Sequence, residues 1–375
     1  MSIALKTLTY EWRRFAPAVI AVGFSGLLVL LQAAVILGIF SLSSLYVTRS
    51  SADLWVGFPG VQSIDLGRPI AGTAELFLRM DPHVKRVEPF VWGSGEWRTG
   101  SRGMVNVYIV GIDTHPDAMV LADALSPEQR RLLLQPDVVL ADTADFRKLG
   151  VKVGDVVEIN GRQVKVVGST RGLRGLGGVN VITSLANARR LDPNAGPGDD
   201  VAYFVAQVDD PRRAAAVADE LNAVGKRRGF EAMTAKRFAD RTTRYWLAES
   251  GAGVAFVFGS VVAILVAVVI TSQTLAAAVA ASLKDYAALR ALGFSMGALR
   301  SIVLGQTLWI GVAGVGVAAL LTVGLIGLAG SQAVPIVLSP AMMATAAVLV
   351  ILVALLSGVF ALRRVAQADP ASLLL

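Results

Sequence analysis

Gly293-Phe294-Ser295-Met296-Gly297 has the G-x-S-x-G spacing that places a nucleophilic serine on a sharp strand-to-helix turn. That chemistry needs a histidine beside the serine, and the chain has only two, His83 and His115. Both lie far upstream beside prolines, in Asp81-Pro82-His83 and His115-Pro116, and read as surface turns. A hydrolase is thereby excluded. Two isolated histidines and no cysteine leave no ligand spacing for a metal site. No G-x-x-x-x-G-K-[ST] phosphate loop occurs. Gly172, Gly175, Gly177 and Gly178 lack dinucleotide spacing, and 171–178 predicts an exposed loop. The residue types predict neither a catalytic centre nor a cofactor bound by this chain.

The elements that carry these residues are set by where charge is missing. Only 17% of residues are charged, against about 25% in an ordinary soluble domain. The stretches 15–48, 250–283 and 301–362 contain no Asp, Glu, Lys, Arg or His. A bilayer crossing takes about 20 apolar residues. The first two stretches each supply one crossing, with length to spare for a stalk. The third is interrupted near Gly330, Ser331, Pro335 and Pro340 and supplies two. The run after Arg14 is too long for a cleaved signal peptide. The expected fold class is therefore a multi-pass α-helical membrane protein with four transmembrane helices and an α+β domain inserted between helices 1 and 2.

Basic residues orient it. Lys6, Arg13 and Arg14 precede the first crossing, Lys284, Arg290 and Arg300 lie between the second and third, and Arg363 and Arg364 follow the last. The positive-inside bias puts all three segments in the cytoplasm. Between residues 49 and 249 the charges nearly cancel, so the net +7 reports membrane anchoring and not nucleic-acid binding.

The predicted organisation is a cytoplasmic amphipathic segment over 1–14, with Leu5, Leu8 and Trp12 on one side, then helix 1 and stalk over 15–48. The outer domain covers 49–247, and stalk and helix 2 cover 248–283. A cytoplasmic loop follows at 284–300, helix 3 at 301–329, an outer turn at 330–340, helix 4 at 341–362 and a tail at 363–375. Within the outer domain, 53–65, 84–91 and 104–112 read as strands, and Asn160-Gly161 as a hairpin turn. Pro211 starts a helix carrying Ala214, Val217, Ala218, Leu221 and Val224. The mixture predicts an α+β domain of two lobes.

The crossings contain Gln32, Gln273 and Gln306 but nothing ionisable, which argues against proton or sodium coupling. Gly251, Ala255, Gly259, Ala263, Ala267 and Thr271 form a row of small residues that permits close helix approach, within the chain or to a second copy. With no ion coupling, energy must come from a partner, and the 284–300 loop is where one can push. Lys284-Asp285-Tyr286-Ala287-Ala288-Leu289-Arg290-Ala291-Leu292-Gly293 predicts a short helix over 284–292 stopped by Gly293. Ala288, Leu289 and Leu292 would dock into a groove, flanked by Lys284, Asp285 and Arg290. The positive-inside bias alone would also produce a basic loop here.

Leu289-Arg290-Ala291-Leu292-Gly293 resembles the coupling-helix signature of MacB/FtsX-type (type VII) ABC permeases. Lys148-Leu149-Gly150-Val151-Lys152-Val153-Gly154-Asp155 before the Asn160-Gly161 hairpin is similar to the family's periplasmic core domain. Arg363-Arg364-Val365-Ala366-Gln367-Ala368-Asp369-Pro370 is similar to its C-terminal tail, and Asp53-Leu54-Trp55-Val56 most resembles the DevC-like branch. Asp285 and Tyr286 depart from the family's usual placing of an acidic residue just before the leucine-arginine-alanine core. The resemblance implies a bacterial inner-membrane protein with cytoplasmic termini and a periplasmic domain, embedded in membrane lipids. It implies a homodimer on two copies of a separate ABC ATPase subunit, which uses the ATP, with a periplasmic adaptor and an outer-membrane duct. Motion would pass through the helices to a periplasmic domain that expels substrate. Alternatives are an FtsX-like transmitter controlling a periplasmic partner, and a receptor with an outer sensing domain.

Overall fold

Asn160 and Gly161 close a two-residue hairpin at φ of 50° and 78°, with Ile159 paired to Arg162. Two successive positive φ angles suit the twist of flanking strands, and glycine takes them without steric cost. The computed structural model that contains this turn describes residues 7, 9–98, 103–175, 178–282, 285, 288–289, 292–331 and 340–367. The chain divides into two compact units, Met1–Gly38 with Ala255–Leu375, and Ile39–Val254.

The second unit takes in the end of helix α1 (Trp12–Ser43) and continues with α2 (Leu45–Thr48) and β1 (Leu54–Gly57). Next come α3 (Ala74–Met80), β2 (Val84–Arg98), β3 (Met104–Ile112), α4 (Pro127–Leu132), β4 (Val138–Asp142) and α5 (Phe146–Leu149). They are followed by β5 (Val156–Ile159), β6 (Arg162–Thr170), β7 (Val179–Ser184), α6 (Leu185–Leu191) and β8 (Tyr203–Val208). The last elements are α7 (Ala214–Arg228), β9 (Glu231–Thr234) and α8 (Ala235–Arg244). The strands run in the order β3-β7-β4-β6-β5-β2-β8-β1-β9, and β3 also pairs with β2. Six strands therefore close on themselves, while β8, β1 and β9 continue from β2 as an open sheet. Strand β2 belongs to both: residues 84–90 pair with β8, and residues 91–98 pair with β3. One long strand thus joins the two lobes.

Alternate residues of these strands enter two separate cores. Leu54 and Val56 of β1 face one, with Val107, Ile109, Val139, Ala141, Phe204 and Ala206. Trp55 faces the other, with Phe90, Val110, Leu140, Ile182, Tyr203, Val205 and Phe238. Burying one such side chain stabilises by roughly 1.5–3 kcal/mol, so covering both faces lets short strands stand. The expected strand over 53–65 stops at Gly57, because Gly60 at φ 77° turns the chain away and 64–66 forms a 3-10 turn. The expected exposed loop over 171–178 is anchored at its centre. Leu173 is buried, and its N–H donates to Asp142 while its carbonyl accepts from Asn180.

The first unit contains α1, α9 (Gly251–Ala281), α10 (Met296–Ser331) and α11 (Pro340–Gln367). Among the described residues three helices are long and apolar enough to cross a membrane: Trp12–Ala34, Gly251–Ala281 and Gly297–Leu325. Met343–Val359 is a shorter apolar helical stretch. Most of the turn expected over 330–340 lies outside the described residues. α1 and α10 approach closely at Gly23 and Gly314, where an added Cβ would come within 2.6 Å of Val317 and 2.5 Å of Val22. α1 and α9 are joined by polar contacts: Thr271 donates to Ser25 Oγ (3.0 Å), which donates to the Ala267 carbonyl (3.2 Å). Ser260 lies 3.4 Å from Gln32 Oε1. In an apolar surround such bonds hold helices together.

Candidate functional site

Gly293, at φ 91°, ends a short helical segment whose last turn is closed by two backbone bonds, Leu292 N–H to Ala288 O and Phe294 N–H to Leu289 O. That is the left-handed helix stop only glycine takes freely. Leu289 is half-buried and packs with Ala276, Val279, Leu299 and Val303 of α9 and α10. Leu292 is 78% exposed, and Ala288, Phe294 and Asp285 are exposed beside it. The three apolar docking residues expected from sequence are therefore divided. Leu289 holds the segment to the membrane helices, and Ala288 and Leu292 face outward with Phe294, which sequence reasoning missed as a contact residue. The available signal was its position just after the helix-ending glycine, where an apolar residue is common. Lys284, Tyr286 and Arg290 lie outside the described residues. Asp285 accepts an ion pair from Arg14 (2.9 Å), which also pairs with Glu11 (2.7 Å). The first turn of α1 is thereby tied to this loop.

Ser295 is accounted for by packing. Its Oγ accepts from Ala298 N–H (3.2 Å), capping the start of α10. In the small-residue row, Gly251, Ala255 and Gly259 are exposed, Ala263 is half-buried and Ala267 is buried. A Cβ added at Gly251 or Gly259 would meet nothing within 4 Å. Gly23, Gly314 and Gly358, which the row does not include, make the close approaches. Among the described residues no group of three or more His, Asp or Glu could hold a metal ion.

A second candidate region lies where the first and last segments of the 39–254 unit meet. Leu45, Tyr46 and Val47 of α2 are all buried. The Tyr46 ring lies 5.8 Å from Phe90, Phe90 lies 5.4 Å from Trp55, and Trp55 lies 5.9 Å from Phe238 of α8. Tyr203 closes the group at 5.5 Å from Phe238. Such ring pairs add about 0.5–1.5 kcal/mol each beyond area burial. The loop after β3 joins them through Arg130, 1% exposed, whose guanidinium donates to the carbonyls of Asp113, Ala118, Val120 and Leu121. Burial draws Arg130 below its usual range, against the pull of Glu88 and Asp113. Burial raises Glu88 despite the Met119 N–H and Arg86. Met119 in turn accepts from Ser51 N–H, next to α2. No local pattern marks Arg130, whose partners are all backbone carbonyls of a loop.

After α8 the chain forms a π-helical turn, Tyr245–Glu249, with no buried residue. Ser250 is extended (ψ 138°), and its Oγ both donates to Trp246 O and accepts from Gly253 N–H. Trp246 Nε1 donates to Ser63 Oγ (3.1 Å). The helix therefore breaks here before α9 begins.

Comparisons with known proteins match long stretches of the chain. The model of the FtsX-like permease C-terminal family matches residues 257–370, and that of the MacB-like periplasmic core domain matches residues 17–224. Among solved structures, the periplasmic region of MacB from Actinobacillus actinomycetemcomitans is 14% identical with a TM-score of 0.37, covering 52% of this chain and 94% of that one. The extracellular domain of the noncanonic ABC-type transporter YknZ from Gram-positive bacteria is 12% identical with a TM-score of 0.35, covering 49% and 100%. A domain of a permease protein from Porphyromonas gingivalis is 13% identical with a TM-score of 0.29, covering 49% and 86%. A comparison with curated proteins finds no match. With more than half of its length matching the MacB-like periplasmic core domain and its C-terminal third the FtsX-like permease region, the chain belongs to the MacB/FtsX family of ABC-type membrane permeases.

Proposed function

We propose that the chain is the permease subunit of an ATP-driven export system, in which a separate ABC ATPase drives the membrane helices and the outer domain delivers that motion to substrate. In this reading the chain crosses the inner membrane four times with cytoplasmic termini and a periplasmic domain. It pairs with a second copy, and each copy seats one ATPase subunit at the 284–300 loop. ATP is bound by the partner. A periplasmic adaptor and an outer-membrane duct, as in the DevC-like branch, complete the path.

The observation that carries the reading is the outward-facing apolar group Ala288, Leu292 and Phe294 on a segment that Leu289 fastens to α9 and α10. A partner pushing on those exposed side chains pushes on the membrane helices as well. Burying Leu292 and Phe294 in a partner groove gains roughly 1.5–3 kcal/mol each, and a carboxylate there would be desolvated without a partner. Leu292→Asp with Phe294→Asp is expected to abolish co-purification of the ATPase subunit and transport, with membrane insertion intact. Retained ATPase binding and transport in that double variant would sink the docking assignment.

A further inference from the structure

Helix α8 has one face in the core and a basic face outside. Phe238 and Thr242 are buried, while Lys236, Arg237, Asp240 and Arg244 are exposed. Arg241 is neutralised by Glu231 through two bonds, Nη2 to Oε1 (2.9 Å) and Nη1 to Oε2 (3.1 Å). Lys236, Arg237 and Arg244 make no ion pair among the described residues, and Asp240 is the single acid on the helix. These side chains, with Thr234, line an open groove of about 370 Å³. Arg244 precedes the apolar helix α9 by seven positions, so the chain holds it within about 25 Å of that helix's first residue. Tyr245 and Trp246 stand between them, the residue types that settle at the headgroup level of a bilayer.

We propose that the exposed face of α8 binds the phosphate of anionic lipid headgroups on the outer surface of the membrane that α9 crosses. The inference rests on the reading above that residues 251–281 span the bilayer with the 39–254 unit outside. Three exposed cations without an ion pair among the described residues, on a helix with one acid and with Glu231 already held by Arg241, complement a phosphate. Their place in the chain, just before a crossing, favours a lipid over an acidic protein segment. Bound headgroups would hold the outer end of this helix at the membrane surface.

The chain has no cysteine, so exposed Ala248 replaced by cysteine carries a polarity-sensitive dye uniquely. The full chain is placed in nanodiscs of phosphatidylcholine with rising phosphatidylglycerol. Dye emission is expected to shift blue with the anionic fraction. In K236Q/R237Q/R244Q the half-point should move to at least about tenfold more anionic lipid, since each surface cation contributes appreciably to such binding. R237K/R244K, which keeps the charge, should behave as the parent and guards against a folding defect. An identical titration in the triple variant overturns the proposal. So does an equal shift from inorganic phosphate in neutral discs, which marks a soluble-anion site, or a shift produced by polyglutamate and not by lipid. Nanodiscs expose both surfaces, so sidedness is read separately. Labelling of Ala248→Cys by an impermeant maleimide on spheroplasts supports the outer placement, and labelling only after permeabilisation overturns it whatever the lipid titration gives.

Discussion

Leu45, Tyr46 and Val47 lead into the outer unit with every side chain buried, whereas Tyr245–Glu249 leads out of it with none buried. The incoming chain passes from α1 through Ser44 directly into α2, and α2 is part of the aromatic core. Detaching it means exposing the Tyr46, Phe90 and Trp55 rings, which is partial unfolding. The outgoing chain is fastened by a few part-buried hydrogen bonds, Trp246 to Ser63 and Ser250 to Trp246 and Gly253. Reorienting it exchanges those bonds for water at a cost of about 1 kcal/mol each. One segment is thus a strut built into the core and the other a joint beside it.

Breaking the ring core that seats the strut should have the largest effect. Phe238→Ala or Trp55→Ala removes a ring that is fully buried between α8 and the sheet. Each is expected to lower the stability of the outer unit by about 3–5 kcal/mol, read as a shift in urea midpoint by near-ultraviolet circular dichroism. Tyr46→Phe separates ring packing from hydrogen bonding. The Tyr46 hydroxyl is buried with no hydrogen-bond partner among the described residues, so its removal should leave stability within about 1 kcal/mol of the parent and on the stabilising side. A large loss there would show that the hydroxyl, and not the ring, carries the anchor.

The joint is sharpened by Gly253→Ala. An added Cβ would stand 1.7 Å from the Trp246 carbonyl oxygen and 2.9 Å from that of Leu247. Backbone atoms cannot swing aside, so the π-helical turn must open, at about 1–3 kcal/mol. The expected result is a modest stability loss with faster amide exchange confined to residues 245–253. Exchange spreading into α2 would erase the distinction between strut and joint.

What sequence could reveal follows from how local each signal is. The charge-free runs 15–48 and 250–283 mark α1 and α9, because a charge in lipid is costly wherever it falls. Asn160-Gly161 and Pro211 act on their own neighbours, and the hairpin and the start of α7 stand where those residues put them. Strands β4, β7, β8 and β9 escaped notice. Val138-Val139-Leu140-Ala141 is buried on both faces and shows no alternation to read. The ring cluster joins positions 46, 55, 90, 203 and 238, which no window contains. In the candidate docking loop Gly293 was legible as a helix stop. That Leu289 turns inward and Leu292 outward depends on Val279, Leu299 and Val303, which other helices supply.

A modest effect is expected outside the core, where Glu231 clamps α8. It accepts both Arg241 bonds and the Gly60 N–H (2.8 Å), and Arg241 also donates to Val61 O. Burial pushes the carboxyl up, but the Arg241 and Gly60 bonds outweigh it and hold Glu231 below its ordinary 4.5. A depressed folded-state value means the ionised form is favoured by folding. Its contribution is complete above about 4.5 and is lost as pH falls through the lower folded value. Glu231→Gln should therefore cost about 1–2 kcal/mol at pH 7, and the gap between variant and parent should close in urea titrations carried below pH 4. A gap that persisted in acid would assign the effect to packing. One that vanished already at pH 6 would mean that burial of the Glu231 carboxyl outweighs the Arg241 and Gly60 bonds.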